Sequence, residues 1–174
     1  MADLYRTIMP ADPDARFTIG RIETRPGSVN AIPERVRFTV DLRHPDAAVL
    51  DALAQRIRSV CEEASAQAGC TWSMQRLVDM PPTAFPVAMV ERVEASARRA
   101  GLASRRIVSG AFHDALHLAR CAPTAMIFCP CREGISHNEA EHVEPRFVLA
   151  GAQVLLEAAL SLIEIVTPVG PTPA

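Results

Sequence analysis

The side chains of this chain that could do chemistry gather in four places. The first is Gly134-Ile135-Ser136-His137-Asn138-Glu139, a turn-forming run that follows the apolar stretch Ala125-Met126-Ile127-Phe128-Cys129. Functional loops cluster where strands end, and an imidazole there can ligate a metal; a histidine that only hydrogen-bonds within its own turn is the alternative. Glu139, Glu141, His142 and Glu144 beyond it read as the solvated acidic start of a helix. The second place is His113-Asp114-Ala115-Leu116-His117, two imidazoles at the i, i+4 spacing that lets one helical face grip zinc. Its plainer version is a capped helix start with one surface histidine.

The third is Cys129-x-Cys131, followed by His137 and His142. A structural zinc or a Cys-His nucleophilic pair is one reading. Against zinc, the one-residue gap is shorter than a finger knuckle, and a cysteine at a strand end packs well as a small apolar group. The fourth joins Ser28-Val29-Asn30-Ala31-Ile32-Pro33 to Asp41-Leu42-Arg43-His44. There the Arg43 guanidinium can meet a carboxylate with two parallel hydrogen bonds, and Asn30 can add an amide donor and acceptor. The bland possibility is an exposed charge pair between Arg43 and its same-face neighbour Asp41.

Composition narrows what these groups can serve. The 174 residues are 49% hydrophobic and 22% charged, which suits a folded globular chain. Eighteen cations, all arginine, face twenty acids for a formal charge of −2, and one Trp, one Tyr and six Phe offer little for stacking on bases, so nucleic acid is not an expected partner. The five cysteines show no framework spacing, which points to a reducing, cytoplasmic setting. The run from Phe147 to Val166 is interrupted by Gln153, Glu157 and Glu164 at near-helical intervals, so it predicts an amphipathic helix and no membrane span.

The elements that must position these groups follow from periodicity. Leu4, Tyr5 and Ile8 fit the end of a helix before the turn cluster Met9-Pro10-Ala11-Asp12-Pro13. A β-branched run covers Arg16 to Thr24. Val36 to Arg43 alternates without fault, with Val36, Phe38, Val40 and Leu42 on one face and Arg37, Thr39, Asp41 and Arg43 on the other. After an Asp46 cap a helix runs to Gly69, and Trp72, Met74 and Val78 suggest a further strand before the Pro81-Pro82 boundary. This order makes an α+β layer whose opening strand and helix would be needed to complete a ferredoxin-like repeat. Beyond it come a helix from Val87 to Gly101, a helix over about His113 to Arg120, an interior strand at Ala125 to Cys129, and the long final helix, with a frayed tail at 168–174.

Four segments then fall together: Thr18-Ile19-Gly20-Arg21-Ile22; Pro26 to Pro33 with Phe38 to His44; Ser109-Gly110-Ala111-Phe112-His113-Asp114-Ala115; and Met126-Ile127-Phe128 through Glu139. In this order they resemble the M20-type metal-dependent amidohydrolases, in the branch of N-carbamoyl-L-amino acid hydrolases, β-ureidopropionases and allantoate amidohydrolases. The resemblance implies that residues 1–82 are part of a ferredoxin-like lid and dimerisation domain, and that 83–167 are the C-terminal α/β segment of a di-metal hydrolase catalytic domain. It makes His137 a metal ligand, Asn30 and Arg43 the holders of the substrate carboxylate, and His113 a catalytic histidine beside the reacting amide. Phe112 stands where the resemblance leads one to expect glycine.

The resemblance further implies two divalent ions, zinc, manganese or similar, most of whose ligands would lie upstream of this chain. The expected substrate is an N-carbamoyl amino acid or related ureido compound. The expected partner is a second copy through the lid, or an upstream polypeptide that completes the site. The expectation is therefore a fragment of an amidohydrolase, inactive alone. Two other readings stay open: a non-catalytic dimerisation or partner-binding module, and a zinc protease built on the His113-Asp114-x-x-His117 pattern.

Overall fold

The computed structural model describes residues 1–9 and 12–163. The expected frayed tail at 168–174, the last turn of the final helix toward Val166, and Pro10-Ala11 of the turn cluster lie outside the described residues. The chain forms two compact units, one of Met1–Thr83 with Val108–Phe112, the other of Ala84–Ile107 with the residues from His113 onward.

In the first unit, α1 (Ala2–Ile8) leads into an antiparallel hairpin of β1 (Arg16–Arg25) and β2 (Arg35–Arg43), followed by α2 (Ala47–Gln67). The alternation of β2 does what it predicts: Phe38, Val40 and Leu42 pack onto a core of Leu4, Ile8, Ala15, Phe17, Leu53 and Ile57. Val36, at the far end of the strand from α2, is left 49% exposed. β1 keeps Phe17 opposite Leu42 and Ile19 opposite Val40, and then Ile22 opposite Phe38. Gly20 and Arg21 therefore face Thr39 together, a bulge that shifts the strand's parity by one residue, and the Arg21 amide donates to Thr39 Oγ1 at 3.1 Å. Asp46 caps α2, its carboxylate accepting from the amides of Ala48 at 2.8 Å and Val49 at 3.0 Å, and Gly69 ends it with φ +63°.

Residues 70–86 hold no regular structure, so the strand expected through Trp72, Met74 and Val78 does not form. A strand exists only with a partner for its backbone, and no edge of the hairpin is given to this segment. Trp72 lies instead over the Arg58 guanidinium of α2, at 5.8 Å. The described residues thus hold a mixed α/β chain with a single two-stranded sheet.

In the second unit α3 (Val87–Arg99) packs against α5 (Pro145–Leu160). Ala97, Val154 and Ala158 are its buried apolar side chains. Gly101, at φ +70°, ends α3 as its position in the sequence predicts. The helix expected over His113 to Arg120 is one turn, α4 (Ala115–Leu118), and the segment Ala125 to Cys129 carries no strand ladder among the described residues. Its side chains are half-buried or exposed, so the expected interior strand with layers on both sides is also corrected.

Candidate functional site

The polar face of the hairpin carries a cluster of charged side chains around a pocket. Arg16 pairs with Arg43 and Thr18 with Asp41 across the two strands. These four side chains, with Gly110, line an open pocket of about 350 Å³. Side chains two apart on a strand share a face, which is why Asp41 can reach Arg43. It does so with both oxygens: Arg43 Nε donates to Oδ1 at 2.7 Å and Nη2 to Oδ2 at 2.6 Å. The third guanidinium nitrogen, Nη1, donates to the Gly110 carbonyl at 2.9 Å. Phe112 covers one face of the guanidinium, its ring centroid 4.5 Å away. Phe112, where the resemblance leads one to expect glycine, therefore packs against the expected carboxylate anchor.

The charge pair anticipated between Arg43 and Asp41 is present, and it aligns the guanidinium. The Arg43 hydrogen bond holds the Asp41 carboxyl below the usual carboxylate range, and the same bond raises Arg43, so both stay charged. A guanidinium has five N–H groups. Three are engaged here, which leaves one on each terminal nitrogen for a ligand.

Asn30 is not brought to this pocket within one chain. It lies exposed in the loop 26–34, where its Oδ1 accepts from the Ser28 hydroxyl at 2.6 Å, and that loop joins the strand ends opposite Arg43. Eight residues of β2 at ~3.3 Å each put about 26 Å between Arg35 and Arg43.

In the second unit His113 precedes α4 and packs edge-on against Phe128, with ring centroids 5.5 Å apart at 64°. Because the helix begins at Ala115, His113 and His117 do not occupy successive turns of one helical face. His137 is exposed and takes φ +57°, the left-handed region. Its amide donates to Glu141 Oε2 at 2.8 Å. The surrounding loop is closed by the Arg132 amide on the His142 carbonyl at 2.8 Å and by the Arg132–Glu144 ion pair at 2.8 Å. That arginine, with His142 nearby, draws the Glu144 carboxyl below its ordinary pKa.

Cys129 is half-buried, and its thiol donates to the Phe147 carbonyl at 3.2 Å. Among the described residues no three His, Cys, Asp or Glu side chains converge as a metal site. The Cys129/Cys131 zinc reading and the His113/His117 zinc reading both lack that convergence.

One organising group was not anticipated. His44, side chain 5% exposed, holds Nδ1 2.9 Å from the Asp46 amide and 3.1 Å from the Asp46 carbonyl, and sets Nε2 3.2 Å from Asp12 Oδ1. Burial pulls its pKa down, but the Asp12 carboxylate and Asp46 outweigh burial and leave it raised. The signal available in the sequence was a histidine beside the helix cap, with Asp12 far up the chain giving no hint.

Residues 7–161 match the model of peptidase family M20/M25/M40. The chain is 40% identical over 165 residues to the N-carbamoyl-L-amino-acid amidohydrolase of Rhizobium meliloti, an alignment covering 94% of this chain and 40% of that protein. It is 35% identical over 143 residues to the allantoate amidohydrolase of Escherichia coli (strain K12), covering 80% of this chain and 34% of that one. A solved amidase of the hydantoinase/carbamoylase family from Burkholderia vietnamiensis superposes with a TM-score of 0.86 at 44% identity, over 92% of this chain and 39% of that chain. The chain thus spans between about a third and two fifths of the length of these relatives.

Proposed function

The chain belongs to peptidase family M20/M25/M40, and from that premise we propose that its residues serve a metal-dependent amidohydrolase cleaving linear ureido or amide C–N bonds in N-carbamoyl amino acids or related compounds. The observation that carries this reading is the Arg43 guanidinium, aligned by Asp41, Gly110 and Phe112 with two N–H groups left for a carboxylate. Relatives named for N-carbamoyl-amino-acid and allantoate hydrolysis support it. In this proposal residues 1–82 belong to a ferredoxin-like lid that pairs with a second copy, and 83–167 to the catalytic domain.

Arg43 holds the substrate's carboxylate and so fixes which bond is presented. Asn30 serves the same end of the substrate. His113, braced by Phe128, stabilises the charge that develops on the carbonyl oxygen. His137 supplies one ligand to a divalent ion such as zinc or manganese. The family is generally dependent on divalent metal ions, but a catalytic ion ordinarily takes about three protein ligands, and the described residues do not assemble them. This chain by itself is accordingly proposed to be inactive, its site completed by an upstream polypeptide carrying the other ligands.

The test is hydrolysis of several N-carbamoyl amino acids with added manganese or zinc, by the chain alone and mixed with a polypeptide bearing the remaining family ligands. Turnover only in the mixture, lost on Arg43→Gln, is the expected result. Robust turnover by the chain alone refutes its incompleteness, and turnover indifferent to Arg43→Gln refutes the anchor.

A further inference from the structure

Arg43 is not the only guanidinium at the pocket. Arg16 stands opposite it in the strand register and lines the same cavity. Its Nη1 donates to the carbonyls of Pro13 at 2.9 Å and Ala15 at 3.0 Å, which fixes the root of the side chain's head group. The Nε and Nη2 donors have no hydrogen-bond partner among the described residues, and neither does the Thr18 hydroxyl between the two arginines' strands.

Gly110 separates the two side chains. Its carbonyl accepts from Arg43 Nη1 at 2.9 Å, while a Cβ built on it would lie 3.5 Å from Arg16 Cγ and 3.9 Å from Arg16 Nε. Both side chains therefore border one glycine on the wall of the same pocket, where a carboxylate could be offered donors from each. Charge gives the same stoichiometry: two guanidiniums against the Asp41 carboxylate leave the pocket one positive charge, which one carboxylate neutralises. Like charges placed directly across a strand pair repel, so an anion between Arg16 and Arg43 also relieves a strain built into the register.

We propose that Arg16 is a second anchor for the substrate carboxylate, its Nε/Nη2 edge gripping one oxygen while Arg43 grips the other, so that the pocket is a two-guanidinium receptor for a singly charged carboxylate. This rests on the reading of Arg43 as the carboxylate holder and adds a residue that the resemblance does not assign.

The experiment is an NMR titration of the full chain with N-carbamoylglycine, following the Arg side-chain Nε–H signals and the backbone of Thr18 and Gly110. Wild type should show both arginines shifting together, with affinity falling as salt rises from ~10 mM to ~150 mM. Arg16→Gln should weaken binding by about tenfold and flatten the salt dependence, because the pocket becomes neutral. Arg16→Lys should fall between, restoring charge without the fork. Since Arg16 also ties Pro13 and Ala15, fluorescence of the sole tryptophan, Trp72, checks that each variant keeps its fold. Unchanged affinity in Arg16→Gln, with binding lost in Arg43→Gln, overturns the second anchor and leaves the first standing. Unchanged affinity in Arg43→Gln, or no shift of either arginine in wild type, overturns both.

Discussion

Gly151 offers the sharpest test of how the second unit is packed. It sits inside α5, where glycine ordinarily costs a helix about 1 kcal/mol relative to alanine. A Cβ there would come within 2.5 Å of Cys129 Sγ, well inside the roughly 3.5–4 Å at which such atoms rest. The same thiol donates to Phe147 O, the carbonyl one helical turn before Gly151, so the segment entering the His137 loop cannot retreat without losing that bond. Overpacking of this kind costs about 1–3 kcal/mol. Gly151→Ala should therefore destabilise the unit by up to about 2 kcal/mol once the helix gain is counted. Introduced beside Cys129→Ala, it should instead stabilise by up to about 1 kcal/mol, because the obstructing sulfur is gone. Native-state hydrogen exchange of the α5 amides measures both, with urea unfolding by circular dichroism alongside. An equal effect of Gly151→Ala in the two backgrounds would mean that helix and thiol do not touch.

Three further expectations concern stability. His44 titrates above its ordinary value of 6.5 in the folded chain, so its contribution is complete below 6.5 and is lost as pH rises through the folded pKa. Asp12 titrates below 3.8, so its contribution is present above 3.8 and is lost as pH falls through its folded pKa. The urea midpoint read by Trp72 should hold between those values and decline as pH rises past 6.5, and His44→Gln should remove that alkaline decline; a parent midpoint still rising through neutrality contradicts the pairing. Asp46→Ala removes the acceptor for the Ala48 and Val49 amides and should cost about 1 kcal/mol by the same assay. At His137, whose φ is +57°, the glycine variant should be about 1 kcal/mol more stable than the alanine variant by hydrogen exchange, since only glycine takes that conformation freely; equal stability would argue that the turn relaxes.

What the sequence made legible was local. The alternation from Val36 to Arg43 and the Asp46 to Gly69 helix each carry their own period and their own end signals, so their faces could be assigned from the residues alone. The bulge at Gly20-Arg21 could have been suspected, because β1 changes parity there, yet only the opposite strand fixes which residues share a partner. Trp72 to Val78 and Ala125 to Cys129 failed as strands for one reason: alternation or apolarity describes a side-chain pattern, while a strand also needs a neighbouring backbone that local sequence does not supply. His113 failed as a helical residue because α4 is one turn, too short for an i, i+4 face. In the candidate site, Asp41 beside Arg43 was readable from strand geometry. Gly110 and Phe112 were not, since they reach the pocket from some sixty-seven positions away.

The separation of Asn30 from Arg43 was also readable, and it has a consequence for assembly. A hairpin puts its loop at one end and its chain ends at the other, so residues in the turn and at the last position of β2 cannot close on one small carboxylate. If both serve one substrate, they come from two copies of the chain, as a two-fold pairing that brings the loop of one hairpin to the open end of its partner would allow. Mixing then becomes diagnostic. Asn30→Ala and Arg43→Gln chains, each unable to bind N-carbamoylglycine tightly, should together recover up to about a quarter of the parent sites, because half of the random pairs are mixed and one of the two pockets in each mixed pair is intact. No recovery, when mass measurements show that the two variants do pair, would place Asn30 outside the carboxylate site and leave Arg43 to work without it.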